Sequence, residues 1–382
     1  MIERADVAIV GGGINGCALA YELSRRGAEV AVVERRSLTS GATGRCGAGV
    51  RQQWSARENV TLAMQSVEIF EQLSQDLGAD IGFRQGGYLI AVHDEEDLRQ
   101  AEKNVAMQRS LGLEVDILSP HEVTEIVPIL DVEGMRAIGA TFCPTDGHAD
   151  PFKTTYAYAE AARRQGAHFY RFTTVTDILT DQGSVTGVRT DRGDLSVPVV
   201  VNAAGAWSKQ IAAMAGVEVP NVPYKKEIIV TERMARVFDA MVISFRDGIY
   251  FSQQDEGQVL GGIPPPETVT GYHLEPTFSF LQHMAATLAR YAPVLSHINV
   301  IRQWTGFYDV TPDARPILGP VEGLEGFIQC HGFSGHGFML APMVARLLAD
   351  LIVDGAGSPI LESLNLARFE DMDIEQEHSV VG

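Results

Sequence analysis

The chain has 382 residues, 45% hydrophobic and 21% charged, with a formal net charge of −19. This length supports two domains or one large domain with an inserted module, and the acidity argues against electrostatic attraction to nucleic acid or anionic lipid. Cys17, Cys46, Cys143 and Cys330 lack C-x-x-C spacing, and neither a secretory signal nor a membrane-length apolar run is present, so a disulfide framework is disfavoured and a reducing cytoplasm is expected.

Residues 7–10 (VAIV) read as a buried strand, followed by Gly11, Gly13 and Gly16 at GxGxxG spacing. Ile14, Ala18, Leu19 and Leu23 continue at helical spacing, and a second apolar run over residues 30–33 ends on Glu34. This order suits a dinucleotide. Gly11 permits the tight turn, Gly13 lets the backbone approach a pyrophosphate, and Gly16 lets the helix pack closely. The helix N-terminus presents unpaired N–H groups, and Glu34 can accept the ribose hydroxyls. NAD and FAD share such a half-site. The loop over residues 40–51 favours FAD, because Gly41, Gly44, Gly47 and Gly49 leave room for a large flat group against bare backbone.

An amphipathic helix is expected over residues 58–77, a strand over 88–92 and a helix over 95–111. Ser119 and Glu122 form a capping box, and Asp150-Pro151 opens a helix to about residue 164. Strands follow from 168 to 201, with turns at Gln182-Gly183 and Arg192-Gly193, so the sheet begun at residue 7 is expected to be complete near residue 200. After a helix over 208–215, residues 224–232, 241–245, 249–252 and 259–262 read as antiparallel strands, and residues 277–291 as a helix. Residues 300–308 and 327–330 return to strand, and residues 337–353 form the last long helix. The expected architecture is α/β (α+β overall): a Rossmann-like cofactor domain of residues 1–82, 146–220 and 300–382, and an antiparallel-sheet substrate domain of residues 83–145 and 221–299. A second glycine cluster, GFSGHGFM over residues 332–339, lies at another helix N-terminus. No second fingerprint follows a strand, which suits one elongated FAD better than NAD.

With these motifs the chain resembles the D-amino-acid oxidase and sarcosine oxidase superfamily of FAD-dependent amine oxidoreductases. It is most similar to the β subunits of multi-subunit sarcosine oxidases and dye-linked L-proline dehydrogenases. The resemblance rests on the fingerprint, TGRCGAGVRQQ (43–53), PTDG (144–147), NAAGAW (202–207), GFYDVTPD (306–313) and the second glycine cluster. It implies cofactor contacts at Gly11, Gly13, Ile14 and Gly16, with adenosine near Glu34 and Arg35 and a backbone contact near Val175. The flavin would lie across Thr43, Gly44, Arg45, Cys46 and Gly47, with Ala204, Gly205, Trp207 and Gly306 nearby and the ring edge at Gly335, His336, Gly337 and Met339. Arg51 matches a family arginine that binds the substrate carboxylate, and Tyr308 a pocket tyrosine. Gly306 replaces the flavin-linking cysteine of monomeric sarcosine oxidases, implying non-covalent FAD. Tyr308 and Met339 replace further carboxylate-binding residues, and Val259 replaces the lysine that promotes oxygen reduction. Partners would be a small amine or amino acid and, by resemblance, other subunits of a dehydrogenase complex.

The reaction so implied is hydride transfer from the carbon next to nitrogen of a secondary or N-substituted amino acid, such as a sarcosine-, proline- or opine-like compound, to flavin. Alternatives are a glycine or D-amino-acid oxidase, an electron-relay subunit, and an NAD-dependent dehydrogenase. Arg51 suits a bidentate carboxylate contact or an interdomain ion pair. Tyr308 and Tyr250 suit a pocket wall, with core packing equally open for Tyr250. His336 suits flavin contact or a structural role. His148 and Asp146 read as helix caps, and Cys46 as packing near the ring.

Overall fold

Val7–Val10 is buried on both faces because it occupies the middle of a parallel sheet. In this computed structural model, which describes residues 2–370, 376, 377 and 379, its neighbours are Val30–Glu34 and Val199–Asn202, both parallel. Among the described residues the sheet has nine strands. Its main order runs His168–Arg171, Val30–Glu34, Val7–Val10, Val199–Asn202, Leu324–His331, Ser184–Thr190, Val175–Asp181.

The expectation that this sheet is complete near residue 200 is corrected here. Leu324–His331 slots in parallel beside Val199–Asn202 and separates it from Ser184–Thr190. Pairing between strands so distant in the chain leaves no trace in local periodicity. Ile317–Val321, which forms an antiparallel hairpin with that late strand, was not expected either; Gly319 and Pro320 hide its pattern.

Helix Ile14–Ser24 packs between Pro151–Arg164 and Gly337–Asp354. A Cβ at Gly16 would lie 2.0 Å from the Gly11 carbonyl oxygen, so only glycine permits the helix to start this close to the turn. Asn15 Nδ2 donates to the Gly337 carbonyl at 3.2 Å, joining two helix N-termini. The local signals read from sequence hold elsewhere: Tyr88–Val92 is a strand, Ser119 and Glu122 form the capping box, and Asp150 caps Pro151–Arg164.

A second sheet of eight strands is ordered Val300–Val310, Val222–Arg233, Gln258–Ile263, Tyr250–Gln253, Met241–Ile243, Tyr88–Val92, Gly139–Cys143, Asp116–Leu118. It is antiparallel except where Met241–Ile243 runs parallel to Tyr88–Val92. Val300–Val310, which the sequence reading placed in the cofactor unit, pairs along its length with Val222–Arg233 in this sheet. Residues 1, 371–375, 378 and 380–382 of the expected cofactor unit lie outside the described residues. Lys225 Nζ stands 3.2 Å from Glu227 Oε1 in a buried pair. Glu227 also accepts from Thr277 and Gln303, which ties helix Phe278–Tyr291 to the sheet. The four cysteines are free thiols, and no helix among the described residues is long and apolar enough to cross a membrane.

Gly16→Ala forces either the Gly11 turn or the helix to move. Overpacking of this kind costs about 1–3 kcal/mol, so the melting temperature of the variant should fall by several degrees. An unchanged melting curve would show that the turn is not held at this contact.

Candidate active site

The two sheets face each other across a cavity of about 380 Å³. Gly11, Gly13, Ile14, Glu34, Arg35 and Val175 line it from the first sheet, and Thr43, Arg45, Cys46 and Gly47 from the glycine loop. Ala204, Gly205 and Trp207 line it after Val199–Asn202, Gly306, Tyr308 and Tyr250 from the second sheet, and Gly335, His336, Gly337 and Met339 at the second glycine cluster. Arg51 belongs to the same wall. Two of the expected cofactor residues do not line it. Gly16 lies beneath the turn, and Gly44 faces a separate cavity behind the loop, where a Cβ would lie 2.4 Å from the Thr39 carbonyl oxygen.

Glu34 holds the first turn together: Oε2 accepts from the Gly12 amide at 2.8 Å and Oε1 from the Arg36 amide at 2.7 Å. Thr43 Oγ1 accepts from the Ile14 amide at 3.1 Å, so the glycine loop is anchored on the helix N-terminus. Arg45 binds the loop to the second sheet, donating to the Thr305 carbonyl at 2.7 Å while its own carbonyl accepts from Trp304 Nε1 at 3.1 Å. Gly306 fits against it, since a Cβ there would lie 3.2 Å from Arg45 Cβ. The Arg35 guanidinium stacks 3.9 Å from the Trp207 ring centroid.

Arg51 is 1% exposed. Its guanidinium carbon stands 4.2 Å from the Trp54 ring centroid and 5.5 Å from that of Phe245. Nη2 donates to the Ser379 carbonyl at 2.5 Å, while Nη1, buried in the wall, has no hydrogen-bond partner among the described residues. The interdomain ion pair that the sequence left open is not formed among them. Gly335 lets the Tyr308 ring approach, since a Cβ at this positive-φ position would lie 2.4 Å from the ring. The Tyr250 and Tyr308 side chains line the cavity together, each near enough to affect the other's ionisation. Burial pushes Tyr308 up to about 12 and Tyr250 well above its ordinary value, so both stay neutral. His336 meets Trp54 edge-on at 4.3 Å. Burial, and then Arg51, push its pKa down to about 3, so it too is neutral.

Asp146 and His148 are not helix caps. Asp146 Oδ1 accepts from the Gln52 amide at 2.7 Å and Oδ2 from Gln53 Nε2 at 3.0 Å, so it orders the stretch following Arg51. Burial raises its pKa to about 6 despite those bonds. His148 lies in the short strand Gly147–His148 paired with Gly49–Val50. Cys46 donates to the Thr43 carbonyl at 3.1 Å, and burial pushes its thiol up to about 11, consistent with packing rather than reactivity.

Sequence reasoning missed three groups. Lys226 stands 5.3 Å from the Tyr308 ring centroid on the cavity wall, and burial lowers it to about 8. Strand alternation separates it from the paired Lys225 and Glu227, but which face meets the cavity is a tertiary fact. Val259, read as replacing a lysine, is fully buried in the core of the second sheet. Asp309, inside a recognised motif, accepts from the Gly332 amide at 2.7 Å and Asn221 Nδ2 at 2.5 Å. The third group, Glu377 and Ser379, lies beyond every motif.

Two helix N-termini, a glycine-lined loop and a cavity with aromatic walls fit a dinucleotide bearing a flat ring. A family model described as FAD dependent oxidoreductase matches residues 6–351. The chain belongs to this family. It is 30% identical to a sarcosine oxidase subunit beta of Arthrobacter over 98% of this chain and 93% of that one. It is also 30% identical to hydrogen cyanide synthase subunit HcnC of Pseudomonas protegens, over 93% of this chain and 94% of that one. Among solved structures, L-proline dehydrogenase of P. horikoshii superposes with a TM-score of 0.93 at 38% identity, covering 97% of this chain and 99% of that one. Glycine oxidase of Geobacillus kaustophilus superposes with a TM-score of 0.88 at 26% identity, covering 96% and 99%. This FAD-dependent oxidoreductase therefore uses FAD, and the NAD alternative is set aside.

Asp309 makes stability depend on pH. Burial pushes its folded-state pKa from 3.8 to about 7, so its ionisation opposes folding. The stability it confers is complete below the unfolded value and is lost as pH rises through about 7. His331, 3.8 Å away, does not offset this because burial holds it neutral, at about 3. Asp309→Asn should remove a loss of roughly 2–4 kcal/mol between about pH 4 and about pH 8. Melting curves of the cofactor-free protein across that range should be flatter for the variant; parallel curves would contradict the assignment.

Proposed function

We propose that this flavoprotein oxidises a secondary or N-substituted amino acid, of sarcosine-, proline- or opine-like type, at the carbon next to nitrogen, giving an imine that water hydrolyses. The observation that carries the reading is Arg51, buried in the cavity wall with Nη1 unpaired among the described residues, lining the same cavity as Tyr250 and Tyr308. The names of the relatives support it: sarcosine oxidase, L-proline dehydrogenase and glycine oxidase each act on small amino acids. Bound FAD supplies the hydride acceptor.

The chain's own task is orientation. Arg51 holds the carboxylate through charge-assisted hydrogen bonds, which fixes the amino-acid plane. Tyr308 and Tyr250, kept neutral by burial, offer hydroxyls to the amine without adding charge. His336, also neutral, places no second positive charge beside Arg51. Gly306 provides no thiol for a covalent link, which supports non-covalent FAD. The division of labour that follows assigns cofactor binding to the parallel-sheet unit, residues 1–82, 146–220 and the chain after Val310, and substrate binding to residues 83–145 and 221–310.

A glycine or D-amino-acid oxidase is an alternative favoured by the similarity to glycine oxidase. A second reading, a flavin-binding electron-relay subunit of a hetero-oligomer, is favoured by relatives that are themselves subunits. Anaerobic addition of sarcosine, proline and opines to the chain purified alone separates them: bleaching of the flavin absorbance is expected, and none with any amino acid would favour the relay. Arg51→Ala should raise KM about 100-fold while flavin stays bound; unchanged KM would remove Arg51 from the substrate site.

A further inference from the structure

Arg51 leads through residues 52–56 into helix Arg57–Leu77, whose N-cap, Ala56, has no capping side chain. The cap comes from far along the chain. Glu377, 4% exposed, accepts from the Ser55 amide at 3.1 Å, Ser55 Oγ at 2.5 Å, the Ala56 amide at 3.2 Å and Asn59 Nδ2 at 2.7 Å. Its carboxylate also accepts from the Ser379 amide at 2.9 Å, which ties Ser379 to Glu377. Burial alone would raise this carboxyl; the bonds from Ser55, Ser379 and Asn59 instead hold it below the ordinary glutamate range. A negative charge at a helix N-terminus is favourable, and five donors saturate it. The Glu377 amide donates to the Asp313 carbonyl at 3.1 Å, which anchors Glu377 from its backbone as well.

The consequence for Arg51 is specific. Two residues after Glu377, the Ser379 carbonyl accepts from Arg51 Nη2. A flexible guanidinium is thereby held between a fixed carbonyl and the Trp54 ring. The holder is neutral. A carboxylate paired directly with Arg51 would cancel the charge a substrate needs, whereas Glu377 spends its oxygens on Ser55, Ala56, Asn59 and Ser379. Among the described residues the arginine is thus oriented but not paired with a carboxylate.

We propose that Glu377 is a positioning residue for substrate binding: bonded both to the N-terminus of helix Arg57–Leu77 and to the Ser379 amide, it sets the Ser379 carbonyl that orients Arg51 with Nη1 towards the substrate carboxylate. This rests on the reading of Arg51 as the carboxylate anchor. The holoenzyme is titrated with acetate, followed by perturbation of the flavin absorbance, for wild type, Arg51→Ala, Glu377→Ala and the double variant. KM and kcat are measured with the substrate that bleaches the flavin.

Glu377→Ala should weaken acetate about 10-fold and raise KM to a similar degree, with kcat within about twofold. In the Arg51→Ala background it should weaken acetate no further, because the two act through one guanidinium. Full acetate affinity in Glu377→Ala, or an equal loss in both backgrounds, overturns the positioning role while the anchor reading stands. Failure of Arg51→Ala to weaken acetate overturns the anchor reading and this role together. If Glu377→Ala loses flavin, Glu377→Gln replaces it: its amide keeps one acceptor but turns a donor towards Ser55 or Asn59. A threefold or larger weakening supports the role, and unchanged affinity overturns it.

Discussion

The Gly11 carbonyl oxygen occupies the space a side chain at residue 16 would fill, and everything around the cavity follows from that contact. It brings helix Ile14–Ser24 onto the first strand so closely that the helix N-terminus opens onto the cavity. Glu34 then reaches back to the Gly12 amide, Thr43 to the Ile14 amide, and Asn15 across to Gly337. A second helix N-terminus is in this way brought alongside the first. The positive ends of two helix dipoles meet at one place, which is the arrangement a pyrophosphate-containing cofactor requires.

The second sheet closes the other side. Burial holds Tyr250 and Tyr308 protonated and keeps His336, at the second glycine cluster, deprotonated, while Lys226, lowered to about 8, stays mostly cationic at neutral pH. The Arg51 guanidinium, with Nη1 unpaired among the described residues, is positioned to attract an anion. A charge buried without full compensation is costly, and such a cost is retained where a ligand repays it. The structure meets part of it with the Trp54 ring and a backbone carbonyl, neither of which carries charge.

Joining the sheets takes few contacts. Arg45 and Trp304 link the glycine loop to Val300–Val310, and Gly306 leaves room for that approach. The same strand carries Tyr308 and Asp309, so it meets the cavity through Tyr308 and the second glycine cluster through Asp309, which accepts from the Gly332 amide. That double role explains why the sequence reading could place this strand with the cofactor unit although it pairs in the second sheet.

What the sequence by itself determined were features whose cause is local: the strand-turn-helix of residues 7–24, the caps at Ser119 and Asp150, the strand over residues 88–92 and the glycine clusters that imply bare backbone. Each arises from neighbours within a few residues, where propensity, capping and turn geometry act. Most expected cavity residues came from those clusters, and motif resemblance supplied Arg51, Tyr308 and Val175. Only the tertiary structure decided the rest. Insertion of Leu324–His331 into the first sheet, the face of Lys226, the bonds of Asp146 and the reach of Glu377 to Ser55 all depend on residues far apart in the chain. Their pairing is set by burial and hydrogen-bond satisfaction in the assembled fold, which no local pattern encodes.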